Sequence, residues 1–365
     1  MSLRRLIVPL LATAGLIATT LVGSQPAQAI AADDGVLLYT AGSAPDGFWS
    51  DLHGSIPLAI GGTYTPIVGN FIGSYTDDVF WYGKGSLPDS LWEMNADGTH
   101  TTHTMSVGGN YTPVAGNFSE TEDASADYTD DIFWYNPGTG ADALWDFEND
   151  GSITKTSGTW INGTSYKPVV GRFRAKEGPN ADFSDDILWL STTGGSSSLW
   201  DFNRDGTISK TVWGFGAPAT PLVVNTGDTQ DRLFLYRPGT GTDQLIDLMT
   251  SNFKTYTING TYTPVVAYFG FGLGKSILWY APGSAPDPQW DWNGSTFVNT
   301  TTRSVNGTYT PVVGRFSNTG TYVESILWVS LTGGSSPLWT MNGSVTSRNV
   351  TLPAGGTPLV IYGIN

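Results

Sequence analysis

Aspartates in Gly- and Ser-rich loops are the first residues of this sequence that could do chemistry. They recur at one position of a repeated segment, as Asp46, Asp89, Asp142, Asp243 and Asp287. Two tryptophans, Trp160 and Trp213, each lie eight residues before a repeated proline in consecutive repeats. A carboxylate beside an aromatic face can bind a sugar, and weak sites repeated along a chain act together through avidity. An aspartate that caps a turn would recur in the same way, so both interpretations stay open.

A second group of acidic residues, between positions 120 and 131, offers oxygen ligands for a cation. Its candidate ligands are Asp123, Asp127 and Asp131. Calcium takes six to eight oxygen ligands at about 2.3–2.6 Å, and carboxylates in one loop can supply several of them. An acidic loop that is simply solvated would have the same composition. We therefore expect no cofactor, with a single Ca²⁺ in this loop as the alternative.

Residues for nucleophilic catalysis are sparse in this chain. It has no cysteine, only three scattered histidines, and no G-x-S-x-G segment at a strand end. A serine nucleophile needs an adjacent base, and the sequence indicates none. Glycoside hydrolysis needs two carboxylates that face one sugar, and such a site should interrupt the repeat, which most acids here obey. We therefore expect that the protein is not an enzyme.

Two sequence anchors recur seven times and define the repeat. One is an aromatic β-run that leads through a Gly-rich loop to an apolar pair, as in VFWYGKGSLPDSLW from Val79. The other is a run of β-formers such as PIVGNF, led by Pro66, Pro113, Pro168, Pro221, Pro264, Pro311 and Pro358. Repeats of 40 to 50 residues with several short strands are typical of propeller blades.

Each repeat predicts four strands, a to d: the proline-led run, the aromatic run, the strand of the apolar pair, and a strand after a tight turn. Asp-Gly turns, as at Asp97-Gly98, favour a hairpin between strands c and d. The chain enters on a b strand, Val36 to Tyr39, and leaves on an a strand, 357 to 362. We therefore predict an all-β fold over residues 30–365, a seven-bladed β-propeller of four-stranded antiparallel blades, closed by the N- and C-terminal strands in one blade.

These residues resemble the FG-GAP/VCBS repeat family of bacterial secreted propellers over essentially the whole mature chain. The resemblance rests on the PVxGxF strand, the Asp-Asp-aliphatic-aromatic-Trp run at Asp77 to Trp81, and the LW pair that follows. It implies a propeller used for adhesion or as a non-catalytic module, with calcium loops between strands a and b. Those loops are degenerate here, since Ile72 and Arg172 occupy positions where the family has oxygen ligands.

The N-terminal residues predict export. Arg4 and Arg5 precede an apolar run from Leu6 to Val22, and Ala27-Gln28-Ala29 has the small-x-small pattern of a cleavage site. Residues 1–29 are thus expected to be a Sec-type signal peptide of a bacterial, secreted protein that does not insert into a membrane. Its removal takes away two arginines and makes the net charge of −15 still more negative. Such acidity argues against nucleic acid as a partner.

The composition, the repeat and the lack of catalytic residues lead to one expectation of function. We expect a monomeric, secreted, non-catalytic propeller that recognises carbohydrate or a cell-surface ligand through its repeated loops. A protein–protein docking or adhesion scaffold that binds a surface protein is the first alternative. A glycan-active enzyme is the second.

Overall fold

The computed structural model describes residues 34–73, 76–119, 129–163, 165–174, 184–203, 205–270, 273–316, 323–330, 334–341 and 344–363. The expected signal peptide, residues 1–29, lies outside the described residues, as do Asp123 and Asp127. Within these ranges no helix is long and apolar enough to cross a membrane.

The described chain folds into seven antiparallel sheets of four strands each, which confirms the predicted β-propeller. Strands are numbered here in chain order, and blades one to six follow the repeat from Thr65 onward. Blade one contains β4 (Thr65–Gly69), β5 (Asp78–Tyr82), β6 (Asp89–Met94) and β7 (His100–Met105). Blade two contains β8 (Thr112–Gly116), β9 (Asp131–Tyr135), β10 (Asp142–Phe147) and β11 (Ile153–Gly158). Blade three contains β12 (Tyr166–Gly171), β13 (Asp186–Ser191), β14 (Ser196–Phe202) and β15 (Ile208–Gly214).

The remaining blades repeat the pattern. Blade four contains β16 (Thr220–Asn225), β17 (Asp231–Tyr236), β18 (Asp243–Ile246) and β19 (Phe253–Tyr256). Blade five contains β20 (Thr263–Ala267), β21 (Ser276–Tyr280), β22 (Asp287–Trp292) and β23 (Phe297–Arg303). Blade six contains β24 (Thr310–Gly314), β25 (Ser325–Val329), β26 (Ser336–Met341) and β27 (Val345–Val350). Blade seven contains β28 (Thr357–Ile361), β1 (Gly35–Tyr39), β2 (Asp46–Ser50) and β3 (Gly54–Leu58).

The two ends of the chain close the ring in blade seven, as the sequence predicted. Strand β28 pairs antiparallel with β1, with Leu359 opposite Leu37 and Pro358 opposite Leu38. The a strand of each blade neighbours the a strands of the blades on either side, so the seven a strands surround the axis. Without β28, strand β1 would be an exposed edge of its sheet, so closure gives blade seven the same four strands as the other blades.

Packing between neighbouring blades supplies the core. Seven apolar clusters are each formed by residues of two adjacent blades. Six of the seven b strands are buried along their length because sheets cover both of their faces, as in DVFWY of β5; β17 is half-buried at its first two residues. The indole of Trp134 in β9 is fully buried, and its ring centroid lies 5.0 Å from that of Tyr82 in blade one. Tyrosine–tryptophan contacts of this kind join successive b strands.

The loops of each blade fall on two faces of the ring. In blade one the b–c loop meets the d–a connection, where Gly85 N donates a hydrogen bond to Gly109 O at 2.6 Å. The Tyr82 hydroxyl also donates to Gly109 O at 2.8 Å, and accepts the N–H of Tyr111. The b–c and d–a loops therefore share one face, and the a–b and c–d loops share the other.

Removal of residues 357–365 should destroy the cooperative unfolding of the ring. Without β28, strand β1 loses its backbone hydrogen bonds on one side, and Val36 and Leu38 lose the cover of Val360. Thermal melts of the full and shortened chains, followed by near-ultraviolet circular dichroism, measure the effect. An unchanged melting temperature would contradict closure by this strand.

Candidate functional site

A ring of residues around the axis joins each blade to the one before it. In blade two, Asp130 N donates a hydrogen bond to Asn70 O at 2.7 Å, and the Asp130 carboxylate accepts the N–H of Asn70 at 2.9 Å. Asn70 follows the a strand of blade one, so the pair of hydrogen bonds crosses the junction. We call the seven residues that stand just before the b strands, or open them, the axial ring: Asp34, Asp77, Asp130, Asp185, Asp231, Lys275 and Glu324.

The axial ring explains the glycine of the PVxGxF motif. A Cβ built on Gly69 would lie 2.9 Å from Asp130 Oδ2 and 2.9 Å from the Phe71 ring, both too close for an unchanged structure. Gly314 is in the same position beside Asp34 Oδ2, at 3.2 Å. At these two positions the glycine leaves room for the carboxylate of the next blade, whereas at Gly116 and Gly171 the nearest atoms belong to apolar side chains. The motif positions the ring at the face of the a–b loops.

Burial raises the pKa of several ring carboxyls. The pKa of Asp77 rises to about 7, because burial disfavours its charge and Asp130, Asp78 and Asp34 repel it, against one backbone hydrogen bond from Tyr362. The pKa of Asp185 rises to about 6, mainly through burial, with Arg172 opposing the shift. Carboxyl groups with pKa values shifted toward neutrality cluster at functional sites, so this face is a candidate location for one.

One junction interrupts the ring. Lys275 replaces the carboxylate between blades four and five; its N–H still bonds Asn225 O at 2.8 Å, but lysine offers no acceptor for the Asn225 N–H. The next ring residue is the longer Glu324, whose Oε1 lies 3.7 Å from Lys275 Nζ. Its other oxygen accepts the N–H of Tyr268 at 2.6 Å. Two departures from the repeated aspartate thus lie side by side.

A cavity of about 390 Å³ opens where the ring is interrupted. Lys275, Arg315 and Glu324 supply its charged groups, all partly exposed to solvent. Arg315 is held in place by Gly363 O, to which its Nη2 donates at 2.9 Å, and it lies 3.7 Å from Asp34 Oδ1. Asn225, Tyr268 and Leu273 complete the wall. We take this space as the candidate site and call it the axial cavity.

The aspartates that the sequence singled out lie on the opposite face. The buried carboxylate of Asp46 accepts the N–H groups of Thr40 at 2.7 Å and Ile60 at 3.0 Å, which ties the b–c loop to the d–a connection. The equivalent carboxylates bond the same two loops in their own blades, at Asp89, Asp142, Asp243 and Asp287. This is the turn role that the sequence left open, and ligand binding by these residues stays a prediction.

Trp160 and Trp213, the tryptophans proposed to bind a sugar together with these aspartates, each pack against a different phenylalanine. Trp160 is half-buried against Phe133, with ring centroids 5.6 Å apart. Trp213 stacks on Phe215, with centroids 5.7 Å apart and nearly parallel rings. Neither residue contacts the axial cavity, which lies on the other face.

The proposed calcium ligands can be followed only at Asp131. Its carboxylate is fully buried and accepts the N–H groups of Phe118 at 2.8 Å and Phe147 at 3.1 Å, as well as the Ser119 hydroxyl. In the described ranges no three histidine, aspartate or glutamate side chains stand where they could share a metal ion. Asp123 and Asp127 lie outside those ranges, so calcium in this loop stays a prediction.

Comparisons with known proteins find solved structures of similar fold, but they identify no family for this chain. No family model matches the chain, and no curated protein matches it. A protein of Bacteroides fragilis named as a candidate 6-phosphogluconolactonase is similar at 11% identity and a TM-score of 0.54, over 92% of this chain and 99% of that one. One of the same name from Bacteroides uniformis is similar at 10% identity and a TM-score of 0.54, over 90% and 99%. A protein of unknown function from Desulfotomaculum acetoxidans is similar at 9% identity and a TM-score of 0.55, over 90% and 98%.

These likenesses correct the expectation of a non-catalytic binding propeller. That expectation excluded an enzyme because the sequence holds no nucleophile with an adjacent base. Two of the three similar structures are named as enzymes, so the absence of such a triad does not exclude catalysis on this scaffold. At these identities the likeness shows the fold alone. The resemblance to FG-GAP/VCBS repeats stays a prediction.

The buried ring should make the protein less stable as the pH rises. The folded-state pKa of Asp77, about 7, lies above its ordinary value of 3.8, so the folded chain binds the proton more tightly than the unfolded chain. The stability that this proton supplies is complete below pH 4 and is lost as the pH rises to 7. We expect the melting temperature to fall from pH 5 to pH 8, and we expect Asp77→Asn to make that fall smaller. Each kcal/mol of unfolding free energy corresponds to roughly 2–4 °C in melting temperature.

Asp97→Asn is the matched control. Hydrogen bonds from Thr99 lower the pKa of this exposed aspartate, so it does not titrate between pH 5 and pH 8. Its variant should keep the wild-type slope. A slope that Asp77→Asn leaves unchanged would show that the ring carboxyl does not titrate in this window.

Proposed function

We propose that this chain is a hydrolase that opens the lactone of a sugar acid in the axial cavity. The observation that carries the proposal is the pair Lys275 and Glu324, 3.7 Å apart, at the junction where the ring departs from aspartate. The Lys275 amine can donate hydrogen bonds, the Glu324 carboxylate can accept them, and both line a space open to solvent. Lactone hydrolysis needs these two kinds of group at the reacting carbonyl.

Each charged side chain of the axial cavity has its own role in the proposed reaction. Glu324, fixed through the Tyr268 N–H, takes a proton from a water molecule as that water attacks the lactone carbonyl carbon. Lys275 or Arg315 donates hydrogen bonds to the carbonyl oxygen as it becomes negative. The bond from the carbonyl carbon to the ring oxygen then breaks, and that oxygen takes the proton held by Glu324. The product is the open-chain hydroxy acid; its new carboxyl group releases the second proton of the water to solvent, and the resulting carboxylate faces the same cations.

An ester fits this cavity better than a glycoside. Glycoside hydrolysis uses two carboxylates on either side of the scissile bond. Among the described residues that line the axial cavity, Glu324 is the one carboxylate, and two cations stand beside it. Cations stabilise the oxyanion of an ester and would disfavour the oxocarbenium-like transition state of a glycoside.

The size of the cavity and the similar structures support the same substrate class. About 390 Å³ is at the lower end of the range for small-molecule sites and suits a single sugar ring. The two Bacteroides proteins that share the fold are named for a lactone of a phosphorylated sugar acid. Lys275 and Arg315 would suit an anionic substrate of that kind.

The proposal also includes secretion of the protein and a relation to FG-GAP/VCBS propellers, and both rest on the sequence alone. The basic and apolar residues before Ala27-Gln28-Ala29 support secretion, and the repeated PVxGxF strands support a relation to FG-GAP/VCBS propellers.

Lys275→Asp restores the repeated residue of the ring and should strongly reduce the activity. The aspartate can accept the Asn225 N–H as the other ring residues do, so we expect the melting temperature to hold or rise. Loss of a hydrogen-bond donor to the oxyanion should lower kcat about 10²–10³-fold. Glu324→Gln keeps an acceptor for Tyr268 but removes the base, with an expected loss of about 10²–10⁴-fold. Hydrolysis of glucono-1,5-lactone and of its 6-phosphate, followed by proton release, measures both.

Lys167→Asp controls for the change of charge. Lys167 is an exposed residue of β12, in another blade and toward the opposite face. Its variant should hydrolyse the lactones at the wild-type rate. Full activity of both Lys275→Asp and Glu324→Gln would refute hydrolysis in the axial cavity.

A further inference from the structure

A second cavity lies beside the axial cavity on the same face, toward the rim of the ring. It has a volume of about 290 Å³ and is formed where the c–d ends of blades four and five meet. Phe253 and Trp292 supply its aromatic walls, and Asp247, Asn252 and Lys254 supply polar groups. We call it the radial cavity.

One exposed side chain separates the two cavities. Leu273 lines the axial cavity, and its N–H donates a hydrogen bond to Trp292 O at 3.2 Å in the wall of the radial cavity. Its Cδ1 would lie 3.0 Å from a Cβ on Gly294, which lines the radial cavity. Leu273 is 67% exposed, so its side chain is not packed into the core between the two cavities.

The radial cavity also stands where the repeat is interrupted. Blade four has Ile246 in place of the c-strand tryptophan, and the residue paired with it on strand d is Phe253. Phe253 is 62% exposed, so its ring is available to a ligand. The other six blades pair the c-strand tryptophan with a polar residue: Ser55, Thr102, Lys155, Lys210, Asn299 and Ser347.

The chemistry of the walls indicates a sugar. An exposed phenyl ring can cover the C–H face of a pyranose, while Asn252 and Lys254 can bond its hydroxyls. Asp247 Oδ1 already accepts the N–H groups of Met249 and Thr250, and Arg232 Nη2 lies 3.9 Å from its Oδ2. Lys254 Nζ already lies 3.5 Å from Ser295 Oγ across the cavity. An aromatic surface with a few polar groups at its edge is typical of a specific small-molecule site.

We propose that the radial cavity holds a second sugar unit, so that the substrate of the axial cavity is the lactone of a disaccharide acid or a longer one. This inference rests on the proposed function, because the lactone ring occupies the axial cavity. The second unit lies across Leu273 with one face on Phe253. Binding of this unit adds affinity without taking part in the reaction.

The test measures binding of ring-opened acids to the full chain, which does not depend on turnover. Isothermal titration calorimetry compares gluconate with cellobionate, maltobionate and lactobionate. We expect at least one of the three disaccharide acids to bind tenfold or more tightly than gluconate. Phe253→Ala should reduce that advantage below threefold and leave the affinity for gluconate unchanged, whereas Phe253→Tyr should keep the advantage.

Val212→Ala is the matched control, because Val212 is a 73% exposed side chain on the d strand of blade three, away from both cavities. It should bind all four acids as the wild type does. If no disaccharide acid binds more tightly than gluconate, or if Phe253→Ala keeps the advantage, the inference is overturned. A chain that shows the Phe253-dependent advantage but hydrolyses no lactone supports this cavity and refutes the proposed function instead.

Discussion

The hydrogen bonds of the axial ring are the interaction on which the rest of this structure depends. Each ring residue bonds the backbone end of the preceding a strand, and six of the seven also accept a backbone N–H there through a carboxylate. These bonds are directional and align neighbouring blades at the axis, whereas the apolar packing between blades is non-directional. They also gather buried carboxylates into one circle. Burial raises the pKa values of four of these carboxyls, Asp34, Asp77, Asp130 and Asp185, so the contacts that order the blades also perturb acidic groups at one face.

The sequence predicted the fold almost completely because its signals are local or periodic. The proline-led strands, the buried aromatic runs and the Asp-Gly turns each act within one hairpin. Even the closure of the ring follows from counting, since the first b strand and the last a strand lack partners elsewhere in the chain. These inferences need only the period of the repeat.

The axial ring could not be read in the same way, because its contacts cross from one blade to the next. In the pair Asp77-Asp78, the second carboxylate accepts N–H groups of Phe71 and Ile72 within its own blade. The first bonds Tyr362, 285 residues away. Two neighbouring aspartates of one motif thus have different partners, and only the position of the adjacent blade distinguishes them. The sequence does show that Lys275 stands where the other repeats have an acidic residue before the b strand. That difference can be interpreted only once the contacts of the axial ring are known.

A repeat protein makes a specific site by giving up a repeated contact. Blade four forgoes the c-strand tryptophan, and the junction with blade five forgoes one carboxylate hydrogen bond at Asn225. Each departure gives up a contact that the other blades or junctions make, and we expect each to cost some stability. Both departures fall at the same junction and on the same face, and a cavity accompanies each. The other six junctions keep their carboxylate hydrogen bonds and order the ring. The junction between blades four and five can therefore contain cavities and charged side chains that bind a ligand.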